Sequence, residues 1–456
     1  MAKHFRCGHL YSGAIEDAKA DQTIVVDDDG IITFAGATGD APKSAPSDDV
    51  VDYSGYFVLP GLVDLHTHLT YGNAMCEEDI DFYAASEFRA LRGLIGAQRL
   101  LAAGYTSMAD PGGSNFVAVS IRDAINAGIF VGPRINCSSQ YLTSHQGLTD
   151  YFPEYSVGNV KTGIGKVVMD TDSAIEVIRT QVKDGVDFVK FAMDGRQVGR
   201  DGELLAAFTL DETRRMVDEC HRLGKKTVMH ARGREGTLFS ALAGADLIFH
   251  ASWTDEACIE AMLENGCAIC PTLLVPYHNQ ILTQPTDPMY HKVRPDLGSR
   301  EWAAAMEALP KAYRAGVPFM TGTDTGFAIS PYGEWNAREI ELFVEFLGFS
   351  PQEALHAATS VSASFLAGGD KLGRLEATCH ADFIVFEGNP LANVSLLLEK
   401  DRIKCVYLGG EAIELKLPPI ESEGVSNFSY KMWQDIYSQG RVQELGKAIR
   451  HIQAAE

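Results

Sequence analysis

Val58–Leu69, VLPGLVDLHTHL, decides how the rest of the chain is read. An apolar run broken by Pro60-Gly61 leads into His66-Thr67-His68. Along a β-strand successive side chains alternate between faces, so residues two apart point the same way. If the run is a strand, His66 and His68 present two ring nitrogens to one point at its C-terminal end. An isolated His-x-His pair is equally compatible with packed or surface histidines, so its weight depends on what the rest of the chain supplies.

Seven further β-prone runs follow: Tyr105–Asp110, Arg134–Ser138, Phe188–Met193, Thr227–His230, Leu247–His250, Ala268–Leu273 and Pro318–Asp324. Between most of them lie amphipathic helical patterns. EFRALRGLIGAQRLLAAG, TLDETRRMVDECHRLG and REWAAAMEALPKAYRAG each end in glycine, the residue that most readily takes the left-handed conformation closing a helix. Strand–helix alternation repeated eight times predicts an α/β fold, a (β/α)₈ TIM barrel over residues 58–368. An open doubly wound sheet is the alternative. It gives no reason for so many strands to end in a metal-binding side chain.

Those strand ends carry the chemistry. Lys190 sits inside the apolar run VDFVKF, where an unpaired ammonium is costly. It is either a buried lysine with a carboxylate partner or an amine that has reacted with carbon dioxide to give an anionic carbamate able to bridge two cations. His230 closes TVMHA, His250 closes LIFHA, and Asp324 closes PFMTGTD. Six potential ligands on five strand C-terminal ends coincide with the face where barrel active sites assemble.

Outside the barrel, TIVVDDDGIITFAG reads as two strands joined by an Asp-Asp-Gly turn, and ADFIVFEGNP with IKCVYLGGEAI repeats that style near the other end. Segments 1–57 and 369–415 are expected to meet in one small composite β-sandwich, and 416–456 to form a helical extension.

The bulk properties fit a soluble globular protein of ordinary composition. The 456 residues are 46% hydrophobic, and 61 acidic residues against 39 basic ones give a formal charge of −22. Such acidity repels phosphate backbones and anionic lipid, so neither nucleic acid nor a membrane is an expected partner. Nine cysteines without framework spacing, no basic-then-apolar start and no run of about 20 apolar residues point to a cytoplasmic protein with reduced thiols. Cys267-Ala-Ile-Cys270 lies in a strand-like run without a second pair and reads as buried small residues.

Taken together, VLPGLVDLHTHL, the strand-borne Lys190, VMHARG, GADLIFHA, TGTDTG and the tail PQEALHAATSVSASFLAGGDKLGRLEATCHADFIVFEGNPL resemble the amidohydrolase superfamily, in its imidazolonepropionase-like and Xaa-Pro dipeptidase-like branch. The resemblance implies a binuclear centre, usually zinc. His66, His68 and Asp324 would bind the more buried ion, His230 and His250 the second, and N6-carboxylated Lys190 would bridge them. It further implies hydrolysis of an amide or peptide-like C–N bond of a small molecule, such as an N-acyl amino acid or dipeptide. In that scheme Asp324 serves as general base and then general acid toward a water activated between the ions.

The chain departs from the family's pattern at GRLEATCHADFIV, in a sandwich turn, and at Arg232, where dipeptidase relatives often carry tyrosine. His145 matches a substrate-touching family position, and Tyr277, Arg196 and Arg234 are further candidates in the loops. Arg232 or Arg234 suits a substrate carboxylate because the guanidinium donors form a planar fork. Asp110, before Pro-Gly-Gly, reads equally well as a turn cap. Hydrolysis of a cyclic amide, carbamate, urea or lactone would use the same ligands. A non-catalytic oligomeric scaffold would have no reason to keep all six, and a mononuclear deaminase would lack Lys190. Relatives of this kind are often homo-oligomers.

Overall fold

A computed structural model describes residues 1–456 except 83, 159, 196, 201, 284–294, 419–436 and 445–456, with 295–297 described in backbone alone. Arg196 therefore lies outside the described residues, as does most of the C-terminal extension.

Both ends of the chain share one sheet. Strands β1 (Lys3–Leu10), β2 (Lys19–Val26), β3 (Ile32–Ala37) and β4 (Asp49–Pro60) come from the start, and the strands that continue the sheet beyond β4 come from far downstream. The β2–β3 pair is the expected hairpin: the Asp27 carboxylate accepts the amides of Asp29 and Ile31 and holds the turn.

The decisive run is split. β4 continues to Pro60, three residues beyond the expected boundary at 57, and a new strand β5 (Leu62–Asp64) begins after Gly61. A side chain at Gly61 would place its Cβ 1.9 Å from Thr106 Oγ1, so only glycine lets the chain pass between the two sheets. β5 pairs in parallel with β6 (Tyr105–Asp110), and β6 with β7 (Arg134–Cys137). A second parallel sheet of six strands has the order β13-β12-β11-β10-β8-β9. Its members are β8 (Tyr141–Thr143), β9 (Gly165–Val167), β10 (Phe188–Ala192), β11 (Lys226–Ala231), β12 (Leu247–His250) and β13 (Ala268–Cys270). β8 and β9 are not among the runs expected from sequence; at three residues each they are too short to show a period.

Pro318–Asp324, expected as a strand, instead makes isolated parallel bridges, Phe319 to Ile269 on one side and Thr325 to Thr67 on the other. Met320 N donates to Ile269 O at 2.8 Å and Leu65 N to Thr321 O at 3.0 Å, so this segment stands between the two parallel sheets. The chain then returns to the first sheet through β14 (Phe383–Phe386), β15 (Ile403–Leu408) and β16 (Glu411–Ala412), in the order β16-β15-β14-β4-β1-β2-β3. Phe5, Phe383 and Tyr407 pack ring on ring at its centre.

Both faces of the parallel strands are buried, as continuous apolar runs require. Met108, Ile135, Val189, Phe191, Met229 and Ile248 pack in one core with the helical layer, whereas Val63, Leu65, Phe188, Val228, Leu247 and Phe249 form a second. Alternation thus puts Lys190 on the face of Phe188, away from the helices. The three glycine-closed helices are present, and Gly104, Gly224 and Gly316 have left-handed φ of 91°, 70° and 96°. All nine cysteines are free, and Cys267 and Cys270 are fully buried. No helix among the described residues is long and apolar enough to cross a membrane.

Candidate metal centre

His66 and His68 follow β5 directly and turn toward Asp324. Their Nε2 atoms lie 3.3 and 3.1 Å from Asp324 Oδ1. Metal–ligand bonds of about 2.0–2.1 Å at a tetrahedral angle place neighbouring donor atoms about 3.3–3.4 Å apart, close to the separation of each histidine from the carboxylate, and the three donor atoms lie within 4.8 Å of one another. Among the described residues this is the one group of three or more His, Cys, Asp or Glu side chains close enough to hold an ion.

Hydrogen bonding sets the tautomer of His68. His68 Nδ1 lies 2.6 Å from Gly112 O, an acceptor, so that nitrogen carries the proton and Nε2 faces Asp324 as a lone pair. A lone pair and a carboxylate oxygen 3.1 Å apart attract only through a shared proton or a cation. Asp110 supports the arrangement, accepting the amides of Leu69 and Gly112 at 3.0 Å each. It is the turn cap, and it holds the carbonyl that orients His68. Asp64 is fully buried and takes His66 N, Thr323 N, Thr323 Oγ1 and Asn336 Nδ2 at 3.0, 3.1, 2.6 and 2.7 Å. One carboxylate thus ties the two ligand-bearing segments together.

The remaining candidates approach from β10, β11 and β12. The rings of His66 and His250 are 5.5 Å apart and those of His230 and His250 are 4.6 Å apart. By alternation with Phe249, His250 would face away. The backbone turns left-handed there, φ 70° at His250 and 49° at Ala251, and His250 Nε2 comes 3.1 Å from His230 Nδ1. Asp324 and Thr272 are left-handed too, at 54° and 51°. Non-glycine residues in this region are uncommon and concentrate at functional sites. Thr272 Oγ1 donates to Pro271 O and so accepts from His250 Nδ1, which leaves His250 Nε2 as the ligating nitrogen.

Lys190 is 2% exposed, its Nζ lies 3.8 Å from the centre of the Phe249 ring, and Phe249 in turn stacks on His66. Among the described residues no carboxylate lies within ion-pair distance of it. Burial pushes its amine well below the ordinary lysine range, with Asp324 opposing only in part. Burial likewise holds His66, His230 and His250 well below the usual imidazole range. These are neutral imidazoles, the form that binds metal. Burial works against the charge of Asp324, but without a cation a proton shared with His68 Nε2, together with the charge of Arg232, outweighs it and keeps the carboxyl below its usual range.

His66, His68, Lys190, His230, Arg232 and Asp324 all line one cavity of about 240 Å³. Its outer walls are largely apolar, with Ile80, Tyr141, Leu148, Val275, Phe327 and Ile329 among them. Arg232 is held by Glu301, which accepts its Nε at 3.0 Å, and its Nη1 lies 3.3 Å from His230 Nε2. Other sequence candidates lie elsewhere. His145 is 52% exposed and pairs with Asp150, Arg234 pairs with Asp255, and Tyr277 packs between Trp302 and Phe346; none of the three lines the cavity. Sequence reasoning passes over Asp64, Asp194 and Glu301. The first two stand two residues from His66 and four from Lys190, but their hydrogen bonds run to distant segments.

The chain has relatives among known proteins. Ochratoxinase of Aspergillus niger is 28% identical over 410 residues, 84% of this chain and 81% of that one. Imidazolonepropionase of Mesorhizobium japonicum is 25% identical over 389 residues, 79% and 85% of the two chains. The crystal structure of a Xaa-Pro dipeptidase with methionine in its active site superposes with a TM-score of 0.80 at 27% identity, covering 91% of this chain and all of that one. Residues 57–413, from the last turn of β4 to the end of the shared sheet, match the amidohydrolase family, and the chain belongs to it.

Proposed function

We propose that the chain is a binuclear metal-dependent hydrolase that cleaves an amide or peptide-like C–N bond in a small molecule carrying a carboxylate. The convergence of His66, His68, Lys190, His230 and Asp324 on one cavity carries this reading. In it the two parallel sheets are arcs of one (β/α)₈ barrel, joined through the 318–325 segment, with the cavity at the strands' C-terminal ends.

The donor set fits the cations. Neutral imidazoles, a carboxylate with lone pairs facing it and orienting partners behind them are what divalent ions such as zinc require. His66, His68 and Asp324 would hold one ion and His230 with His250 the second. Lys190 would lie between them after its neutral amine adds to carbon dioxide, forming an N–C bond and releasing one proton. When bound, the pair of ions supplies Lewis acidity for the scissile carbonyl and lowers the pKa of water. Asp324 takes the proton of the attacking water and returns it to the departing nitrogen, acting as base and then as acid. The Arg232 fork, fixed along its Nε edge by Glu301, binds the substrate carboxylate.

Metal analysis joined to a substrate panel tests this. About two equivalents of divalent metal per chain are expected, with chelator-sensitive hydrolysis of N-acyl amino acids or dipeptides exceeding that of matched carbamates, ureas and lactones. Arg232→Ala should lower kcat/KM for carboxylate-bearing substrates by about 10–100-fold, the worth of a charged hydrogen bond, and leave neutral analogues nearly unchanged. Equal losses on both would remove the carboxylate assignment. Metal-free protein or inactivity over the whole panel would remove the proposed function.

A further inference from the structure

The described end of the C-terminal extension is part of the site's architecture. Tyr437 is 3% exposed and packs with Ala328 and Ile329, in one apolar cluster with Met75, Val275, Leu282, Phe327 and Val442. Four of these, Met75, Val275, Phe327 and Ile329, line the cavity. The segment is also pinned by polar bonds. Trp335 Nε1 donates to Tyr437 O at 2.6 Å, Gln439 N donates to the Glu334 carboxylate at 3.0 Å, and that carboxylate is held by Lys400 Nζ at 2.6 Å. Behind the same wall His278 Nδ1 donates to Ile329 O at 2.7 Å, and its ring meets Trp335 edge to face at 5.2 Å.

We propose that residues 437–444 form a fixed strap whose Tyr437 ring backs the apolar wall of the substrate cavity and holds that wall in contact with large apolar substrate groups. Tyr437 does not line the cavity, so it acts as a positioning residue through the apolar cluster it shares with Ile329, against which Phe327 and Val275 pack. A wall made of aliphatic and aromatic side chains recognises shape and area, not charge. It complements Arg232, which would take the carboxylate, so the substrate class is a carboxylate bearing at least one bulky apolar group. Removing a buried aromatic ring from behind such a wall lets the wall side chains sink outward. The dispersion attraction forfeited then grows with the size of the substrate group they held.

The inference rests on the cavity being a substrate site, and its test separates the two. The full metal-loaded chain is compared with Tyr437→Ala and Tyr437→Phe on two series of N-acyl amino acids, one with growing acyl groups and one with growing side chains. KM and kcat are measured, together with equilibrium binding of the corresponding product carboxylates. In Tyr437→Ala the KM ratio to wild type should rise along at least one series, from under twofold for the smallest member to about tenfold for the largest. Its kcat on the smallest member and its metal content should stay near wild type, and Tyr437→Phe should restore the large members. Ratios that stay flat with size in both series, or loss of metal together with all substrates, would overturn the strap. If no member is hydrolysed, the catalytic reading fails, and the product-binding series still decides whether Tyr437 grades apolar size.

Discussion

The two halves of the ligand cluster are built differently. Around His66, His68 and Asp324 most orienting groups have a buried partner: Asp64 joins the two segments, Asp110 accepts the Gly112 amide, and Tyr332 Oη donates to His68 O at 2.5 Å, while His66 Nδ1 has no hydrogen-bonding partner among the described residues. Around His230, His250 and Lys190 the pairing is incomplete. Asp194 Oδ1 stands 3.4 Å from His230 Nε2 and, among the described residues, has no hydrogen-bonding partner. Two neutral ring nitrogens face each other at 3.1 Å, and the lysine lies over an aromatic ring without a counter-ion among the described residues. The first half is braced more fully by the protein itself. The second has the polarity of a site that becomes complete only when a lysine carries an anionic group and a cation is present.

The largest effect that could break this contrast comes from Lys190→Ala. It should leave about one metal equivalent at the His66 half and abolish the second. Losing several kcal/mol of Lewis-acid assistance lowers kcat/KM by about 10³-fold or more. Loss of both equivalents, or retention of both, would show that the halves are not independent in this way. Asp64→Asn sharpens the comparison from the other side. An amide cannot accept from four donors, so affinity for the first ion should fall by about 10–100-fold. Titration with a competing chelator reads this, and an unchanged first affinity would show that Asp64 does not orient the ligands.

The smallest effect belongs to His278, a histidine kept neutral away from both halves. Burial, with Arg338 assisting and the bond to Ile329 O opposing, brings it down to about 4. Between pH 6.5 and about 4 the unfolded chain binds a proton that the folded chain excludes, so stability is complete above pH 6.5 and falls as pH drops through this window. At pH 5 the loss is about 2 kcal/mol from this group. His278→Asn, which can still donate to Ile329 O, should lose that much less on going from pH 7 to pH 5. Parallel denaturation curves for the two proteins would refute the assignment.

Much of the site is legible because its residues sit at strand ends, where a period of two and a closing polar residue leave a visible mark. His66 with His68 and His230 follow that rule, and Lys190 is marked instead as a charge inside an apolar strand. His145 and Tyr277 do not follow the rule: in the sequence they are marked only as lying beyond a strand, and Tyr277 falls within the helix Leu274–Ile281, so what each side chain meets is set by contacts that no local pattern encodes. The strands β8 and β9 are too short to be seen. The Val58–His68 run reads as continuous only because a break at Gly61 leaves hydrophobicity unchanged on both sides.

By itself the order of residues determined the alternation of strands and helices, the place of Lys190 within an apolar strand and the presence of six potential ligands in a family-like order. Only the tertiary structure decided that His250 turns back through a left-handed residue to join them, and that Asp64 and Asp110 brace one half. It also decided that Tyr437, more than a hundred residues from Phe327 in the chain, stands behind the cavity wall. The physical reason is that alternation is a property of neighbouring backbone units. Hydrogen bonding and packing between distant segments depend on where the folded core brings them.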